Sequence, residues 1–114
     1  MTPIIAGRFE QEGQAEAAVA ALRRGGFDAD DVTFFWVDPP GQDATFQIGS
    51  IRVAVRALAF AKRVAAVNVL RAKGAQDIER ADGTWQAGQW IDFDPLKPPL
   101  LVDLPAPEDV QLRK

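Results

Sequence analysis

The chain has 114 residues, 47% of them hydrophobic and 25% charged, which is the size and composition of one globular domain. It contains no cysteine, histidine or tyrosine, which excludes disulfides, thiolate or imidazole metal ligands, and catalysis by a histidine or cysteine side chain. Its net charge of −3 argues against general nucleic-acid binding. We therefore expect a protein without a cofactor or a bound metal ion.

The first half of the chain predicts a strand, a helix and a second strand. In residues 4–9, IIAGRF, successive side chains point to opposite faces, which places Arg8 on the opposite face from Phe9. Residues 12–24 carry apolar side chains at helical spacing and are followed by two glycines, which end the helix. Residues 32–37, VTFFWV, predict the second strand, and its apolar run requires cover on both faces.

The second half of the chain repeats this order. Residues 50–57, SIRVAVRA, alternate so that Arg52 and Arg56 share the face opposite the isoleucine and valines. Residues 59–73 predict a second helix, and residues 76–81 predict a fourth strand. The side chains of this helix that we expect to point inward are Phe60, Val64, Val67 and Leu70.

The order β-α-β, loop, β-α-β predicts an α+β fold of the ferredoxin-like βαββαβ kind, with a four-stranded antiparallel sheet and two helices on one face. In that arrangement the first and third strands are central neighbours, and the fourth strand flanks the first. We assign residues 1–94 to this single domain, which ends in a C-terminal hairpin, and residues 95–114 to a proline-rich C-terminal tail. Because the tail has one short apolar stretch at 100–102, we expect it to be largely mobile.

Several of these segments resemble the small bacterial general-stress or heat-induced-stress domain. The similar segments, within roughly residues 4–94, are IIAGRF, QAEAAVAAL, GFDADDVTFF and VLRAKGAQDIE. The segments FFWVDPPGQ and GAQDIERADGTW are similar to an uncharacterised proteobacterial branch. The resemblance implies an α+β fold and a stress-associated role, and it implies no catalytic residue. Many relatives carry a long membrane-seeking insert where this chain has a short loop at 38–49, so we expect no membrane span.

The sheet face opposite the predicted helices is the first candidate site. Period-two alternation places Arg8, Arg52 and Arg56 on that face, with Asp77 and Glu79 beside them. Guanidinium groups bind carboxylates and phosphates through paired hydrogen bonds, so the face predicts either a dimer interface or an anion-binding site. The alternative is a solvated sheet face with ion pairs between neighbouring strands.

Large aromatic residues form the second candidate site. Phe35 and Trp36 lie in the strand that needs cover on both faces, and Trp85 and Trp90 flank a predicted short turn at QAGQ. We expect one face of this strand to pack under the helices. The other face is expected to be covered by a partner subunit, by the tryptophan hairpin, or by both. Asp82-Gly83 is expected to turn the chain into this hairpin.

The remaining charged clusters are expected to be solvated. Asp28, Asp30 and Asp31 stand in a helix-to-strand connection that lacks the ligand spacing of a calcium loop. The stretch between Asp43 and Asp77 carries only basic charges, but it lacks the interleaved aromatic residues of RNA-binding motifs. We therefore expect neither a metal site nor a nucleic-acid site.

The function expected from these features is non-enzymatic. We expect the protein to be cytoplasmic, because no secretory signal or membrane-spanning run is recognisable. We expect it to act through protein association, as a homodimer joined by the sheet face. The alternative is a sensor module that binds a small anionic ligand through Arg52 and Arg56. An enzyme that uses carboxylates alone is the weakest hypothesis, because the sequence identifies no acidic pair in an apolar pocket.

Overall fold

A computed structural model describes residues 2–37, 50–94 and 100–102. Within these residues a short 3-10 turn, Ala29–Asp31, leads from the first helix to the second strand. Neither helix of the described residues is long and apolar enough to cross a membrane. The helices and strands are β1 Thr2–Phe9, α1 Glu12–Arg24, β2 Val32–Val37, β3 Ser50–Arg56, α2 Phe60–Ala72, β4 Ile78–Gly83, β5 Trp85–Gln86 and β6 Gln89–Trp90.

Strands β1 to β4 form one antiparallel sheet in the order β2-β3-β1-β4. β1 and β3 are therefore the central strands, and β4 flanks β1. The register places Ile5 opposite Val55 and Phe9 opposite Ile51 in the central pair. The fold is α+β, with a four-stranded antiparallel sheet and two helices, and this part of the prediction is confirmed.

Glycines end α1 at the predicted position. The amide of Gly25 donates to the carbonyl of Ala21 at 2.9 Å, and Gly26 has a φ of +105°, a conformation that favours glycine. The amide of Phe27 then donates to the carbonyl of Leu22 at 3.1 Å and fixes the chain as it leaves the helix. The buried residues on the sheet-facing side of α1 are Ala15, Ala18 and Leu22.

The main core lies between the two helices and one face of the sheet, which we call the inner face. The strands contribute buried side chains from alternate positions, namely Ile5, Phe9, Ile51, Val53 and Val55, and α2 contributes Ala66, Val67 and Leu70. The prediction that Phe60 points into this core is wrong, because its side chain is 69% exposed. Phe60 is the first residue of α2, and its ring lies under the guanidinium of Arg63, 5.9 Å from the ring centroid.

The opposite face of the sheet, which we call the outer face, is partly covered by the hairpin of β5 and β6. Trp85 pairs with Trp90 across this hairpin, and the turn lies at Ala87-Gly88, with φ values of +52° and +76°. Two positive φ values are what a tight two-residue hairpin turn requires, so the predicted turn at QAGQ is confirmed. The predicted turn at Asp82-Gly83 is wrong, because both residues continue β4 and pair with β1.

Residues 100–102 lie along the free edge of β4. The amide of Arg80 donates to the carbonyl of Leu100 at 2.9 Å, and the amide of Val102 donates to the carbonyl of Ile78 at 2.8 Å. The expectation of a mobile tail is therefore wrong for these three residues, because the unpaired edge of β4 offers them hydrogen-bond partners. The rest of the predicted tail and the loop at 38–49 lie outside the described residues.

Candidate functional site

The outer face carries the three arginines of the first candidate site. Between the central strands Arg8 is opposite Arg52, and Arg56 is opposite Ile4. Ile4 belongs to a small apolar cluster on this face, which also contains Ala6, Ala54 and Trp85. The strand register thus places all three arginines on one face, as the alternation predicts.

Arg8 is paired with carboxylates at the margin of the face. Its Nε donates to Asp77 Oδ2 at 3.0 Å, and its Nη1 lies 3.4 Å from Glu10 Oε2. The Arg8 side chain is 29% exposed, and the two carboxylates are more exposed than it is. Ion pairs that are this well solvated contribute little to stability, and they leave Arg8 without a free charge to offer a ligand.

Arg56 is held by a carboxylate from the turn that precedes β2. Its Nε and Nη2 approach Asp31 Oδ1 at 2.8 and 2.6 Å, so two guanidinium nitrogens share one carboxylate oxygen. Sequence reasoning placed Asp31 among the solvated acids and missed this contact. No local signal in the sequence gives this contact, because it depends on the register of β2 on β3, in which Val32 is opposite Val55 and the next pair along is Asp31 and Arg56.

Arg52 is the most buried of the three arginines, and its counterion is Glu79. The distance from Arg52 Nε to Glu79 Oε2 is 3.7 Å, and the two side chains are 16% and 13% exposed. Burial raises the pKa of Glu79 above its ordinary value, although the positive charge of Arg52 opposes the shift. Burial also lowers the pKa of Arg52, against the attraction of Glu79. Both shifts indicate that the attraction between the two charges offsets only part of the cost of removing them from water.

Aromatic side chains cover the outer face beside these charges. Trp85 is buried, and its Nε1 donates to the carbonyl of Asp30 at 2.7 Å, which ties the hairpin to the turn before β2. Phe93, which sequence reasoning missed, packs edge-on against both Phe35 and Trp90, with ring centroids 5.1 and 4.9 Å apart. The guanidinium of Arg52 lies 5.9 Å from the centroid of the Phe93 ring. The hairpin and Phe93 therefore supply the cover that Phe35 requires.

The neighbouring aromatics of β2 point to the other side of the sheet. Phe34 is opposite Val53 and Trp36 is opposite Ile51, so both belong to the inner face. Phe34 is nevertheless 38% exposed and Trp36 is 55% exposed, so the expectation that the helices cover this face is wrong for these two residues, whereas Val32 on the same face is buried in the main core. The helices bury the central strands and the start of β2, but β2 lies at the edge of the sheet, where Phe34 and Trp36 keep much of their surface in water.

The free edge of β2 is consequently an unusual surface of the described residues. β2 has six residues, VTFFWV, none of which is charged, and β3 is its only neighbouring strand within the described ranges. Edge strands in soluble proteins are usually short, charged or interrupted by proline, because an open apolar edge pairs with other chains. Trp36, whose side chain is 55% exposed, belongs to this strand, and no strand of the described residues pairs with its free edge.

The other charged clusters have structural roles. Lys62 Nζ donates to the carbonyl of Gly26 at 3.2 Å, and Arg63 Nη1 donates to the carbonyls of Ala57 and Leu58 at 3.1 and 2.9 Å. These bonds satisfy backbone groups in the connections around the helix ends. Within residues 2–37, 50–94 and 100–102, no group of three or more acidic side chains is placed to hold a metal ion.

Comparison of the chain with models of protein families, with curated proteins and with solved structures finds no match. The resemblance to the bacterial stress domain therefore stays a prediction. The function of the chain is inferred from the geometry of its own surfaces.

Proposed function

We propose that the chain is a non-enzymatic domain that acts through protein association, and that its partner is a second copy bound at the free edge of β2. The observation that carries this proposal is that β2 is an edge strand without charged residues and that one of its side chains, Trp36, is 55% exposed. Two β2 strands that pair antiparallel across a two-fold axis would bury both indoles and satisfy the open backbone groups.

The composition of β2 suits pairing with itself. A two-fold axis places each strand opposite an identical copy, and like charges that face each other across strands are destabilising. β2 contains no charged residue and therefore incurs no such repulsion. β4, the other edge strand, has the sequence IERADG and carries charged side chains at Glu79, Arg80 and Asp82. That edge also pairs with residues 100–102 of the same chain.

The outer face supports association or anion binding less well than the edge does. Each of its three arginines already lies near a carboxylate of the same chain, within 3.7 Å or less. An anionic ligand would have to displace one of these carboxylates, and the hairpin already covers the apolar part of the face. We therefore place the homodimer interface at the strand edge rather than on the sheet face.

We further propose that the fold is ferredoxin-like and that the role of the domain is stress-associated. The strand order β2-β3-β1-β4 supports the fold, as does the packing of both helices on the inner face of the sheet. Only the resemblance of the four sequence segments supports the role.

The mass of the protein in solution tests the proposed interface. We expect sedimentation equilibrium to give a monomer–dimer equilibrium at micromolar concentrations for the unmodified chain. Trp36→Lys places a charge beside the edge and should raise the dimer dissociation constant at least tenfold. Phe60→Lys is a matched control, because it makes the same kind of change at an aromatic residue that is 69% exposed elsewhere.

Two results would overturn the proposal. One is an unmodified chain that remains a monomer at several hundred micromolar. The other is a dimer that Trp36→Lys and Phe60→Lys weaken equally, because equal effects would reflect net charge rather than the β2 edge. Circular dichroism of both variants establishes that each has kept its fold.

A further inference from the structure

Residues 100–102 lie along β4 and make a single antiparallel bridge with it, so they contribute more to the edge of the sheet than to the core. Leu101 is opposite Glu79 in an antiparallel bridge, and hydrogen bonds flank this pair on both sides. In this pattern the amide and carbonyl of Leu101 point away from β4, whereas the carbonyl of Leu100 and the amide of Val102 point towards it.

Burial of side chains explains little of the position of this segment. Val102 packs against the main core, but Leu100 is 62% exposed and Leu101 is 56% exposed. The two hydrogen bonds to Arg80 and Ile78, at 2.9 and 2.8 Å, are therefore a large part of what holds it. Their effect is to occupy the backbone groups of β4 that would otherwise be open to another chain.

We propose that residues 100–102 are an edge cap, which blocks β4 against a second copy and so limits assembly of the chain to a closed dimer. The inference rests on the proposed pairing at β2. If β4 were open as well, the β2 edge of one copy could pair with the β4 edge of the next. Such a head-to-tail contact between two different surfaces does not close on itself and produces open-ended assemblies.

The sequence around the cap fits this role. Pro98 and Pro99 precede the cap and Pro105 follows it, and proline cannot donate a hydrogen bond to a neighbouring strand. The cap thus covers part of the β4 edge with a three-residue segment that has prolines before and after it in the sequence. A segment this short offers few backbone groups to an incoming chain, and very short edge segments are a common protection of natural sheet edges.

A pair of proline substitutions in the full chain tests the cap. Val102→Pro removes the amide that donates to Ile78, whereas Leu101→Pro removes an amide that points away from β4. We expect Val102→Pro to sediment as species larger than a dimer whose average mass grows with concentration. We expect Leu101→Pro to sediment like the unmodified chain. Equal masses for the two variants would overturn the proposed cap.

The double variant Trp36→Lys, Val102→Pro separates the cap from the proposed dimer. If both inferences are right, the added lysine suppresses the large species. If the unmodified chain is a dimer that is sensitive to Trp36→Lys, but Val102→Pro leaves its mass unchanged, the cap is wrong and the β2 interface stands. If the unmodified chain is a monomer and Val102→Pro still forms large species, the cap protects the edge and the β2 dimer is wrong.

Hydrogen exchange tests the cap in the unmodified chain, so the result does not depend on whether a proline variant folds. The amide of Arg80 donates to Leu100, so in the unmodified chain it should exchange at least tenfold more slowly than an exposed amide. Exchange of the Arg80 amide at the rate of an unprotected amide would overturn the cap.

Discussion

Arg52 and Glu79 form an ion pair over the middle of the outer face, with 3.7 Å between Arg52 Nε and Glu79 Oε2. They lie on β3 and β4, which are separated by β1. Ala6 of β1 is opposite Glu79, and its side chain is small enough for the two longer side chains to meet above it. The Arg52 Nε is buried and makes no hydrogen bond within the described part of the chain, so the pair is held by charge more than by directed bonds.

The first prediction concerns the stability of the protein when Glu79 is replaced by glutamine. Burial raises the pKa of Glu79 above 4.5 in the folded chain, so the ionised carboxylate opposes folding above that raised value. This cost disappears as the pH falls through the folded pKa towards 4.5. Relative to Glu79→Gln, the unmodified chain should therefore gain stability on acidification from neutral pH. Urea unfolding of both proteins at several pH values measures the difference.

A second prediction has the opposite sign and concerns Asp92. The amide of Thr84 donates to Asp92 Oδ1 at 2.9 Å, and this bond is the main reason why the pKa of Asp92 lies below its ordinary value of 3.8. The stabilisation is present above 3.8 and is lost as the pH falls through the lower pKa of the folded chain. Asp92→Asn should therefore reduce stability at neutral pH and have no effect in strong acid. A difference that persists below the folded pKa would show that the carboxylate charge is not the cause.

The third prediction concerns the attachment of the hairpin through Trp85. Trp85→Ala should lower the free energy of unfolding by about 3–5 kcal/mol, because it opens a cavity over Ile4, Ala6 and Ala54. Trp85→Phe keeps most of the apolar contact and loses the hydrogen bond to the Asp30 carbonyl, so its cost should be about 1–3 kcal/mol. Denaturant unfolding of both variants measures the two values. Equal losses would mean that the hydrogen bond, and not the buried ring, attaches the hairpin.

Features of this structure that depend on neighbouring residues in the sequence could be predicted, whereas contacts between distant strands could not. The bounds of α1 and β2 agree with the prediction, because local periodicity and the glycines after α1 determine them. The outward direction of Arg52 was also predictable, since period-two geometry follows from the buried residues of its own strand. The partner of Arg56 was not, because it depends on the register between two strands.

The aromatic cover of the outer face shows the same limit. Trp85 and Trp90 were placed on either side of the turn from their spacing alone, and the structure pairs them. Phe93 was missed because nothing in its neighbourhood in sequence shows that it meets Phe35, a residue of a distant strand. The exposure of Trp36 was not predicted either, because an apolar run does not show which strand will lie at the edge of the sheet.

The last prediction compares Gly83 of β4, where a side chain would be crowded, with Gly13 of α1, where there is space for one. A Cβ at Gly83 would lie 2.5 Å from Trp90 Nε1 and 2.9 Å from Asp92 Oδ1, whereas a Cβ at Gly13 would meet nothing within 4 Å. Gly83→Ala should therefore push Trp90 away from the sheet and cost about 1–3 kcal/mol of stability. Gly13→Ala, in α1, should add about 0.5–1 kcal/mol, because alanine favours the helix. Thermal unfolding measures both changes, and tryptophan fluorescence should shift to longer wavelength for Gly83→Ala alone. A Gly83→Ala variant as stable as the unmodified chain would mean that the hairpin does not pack against β4 as described.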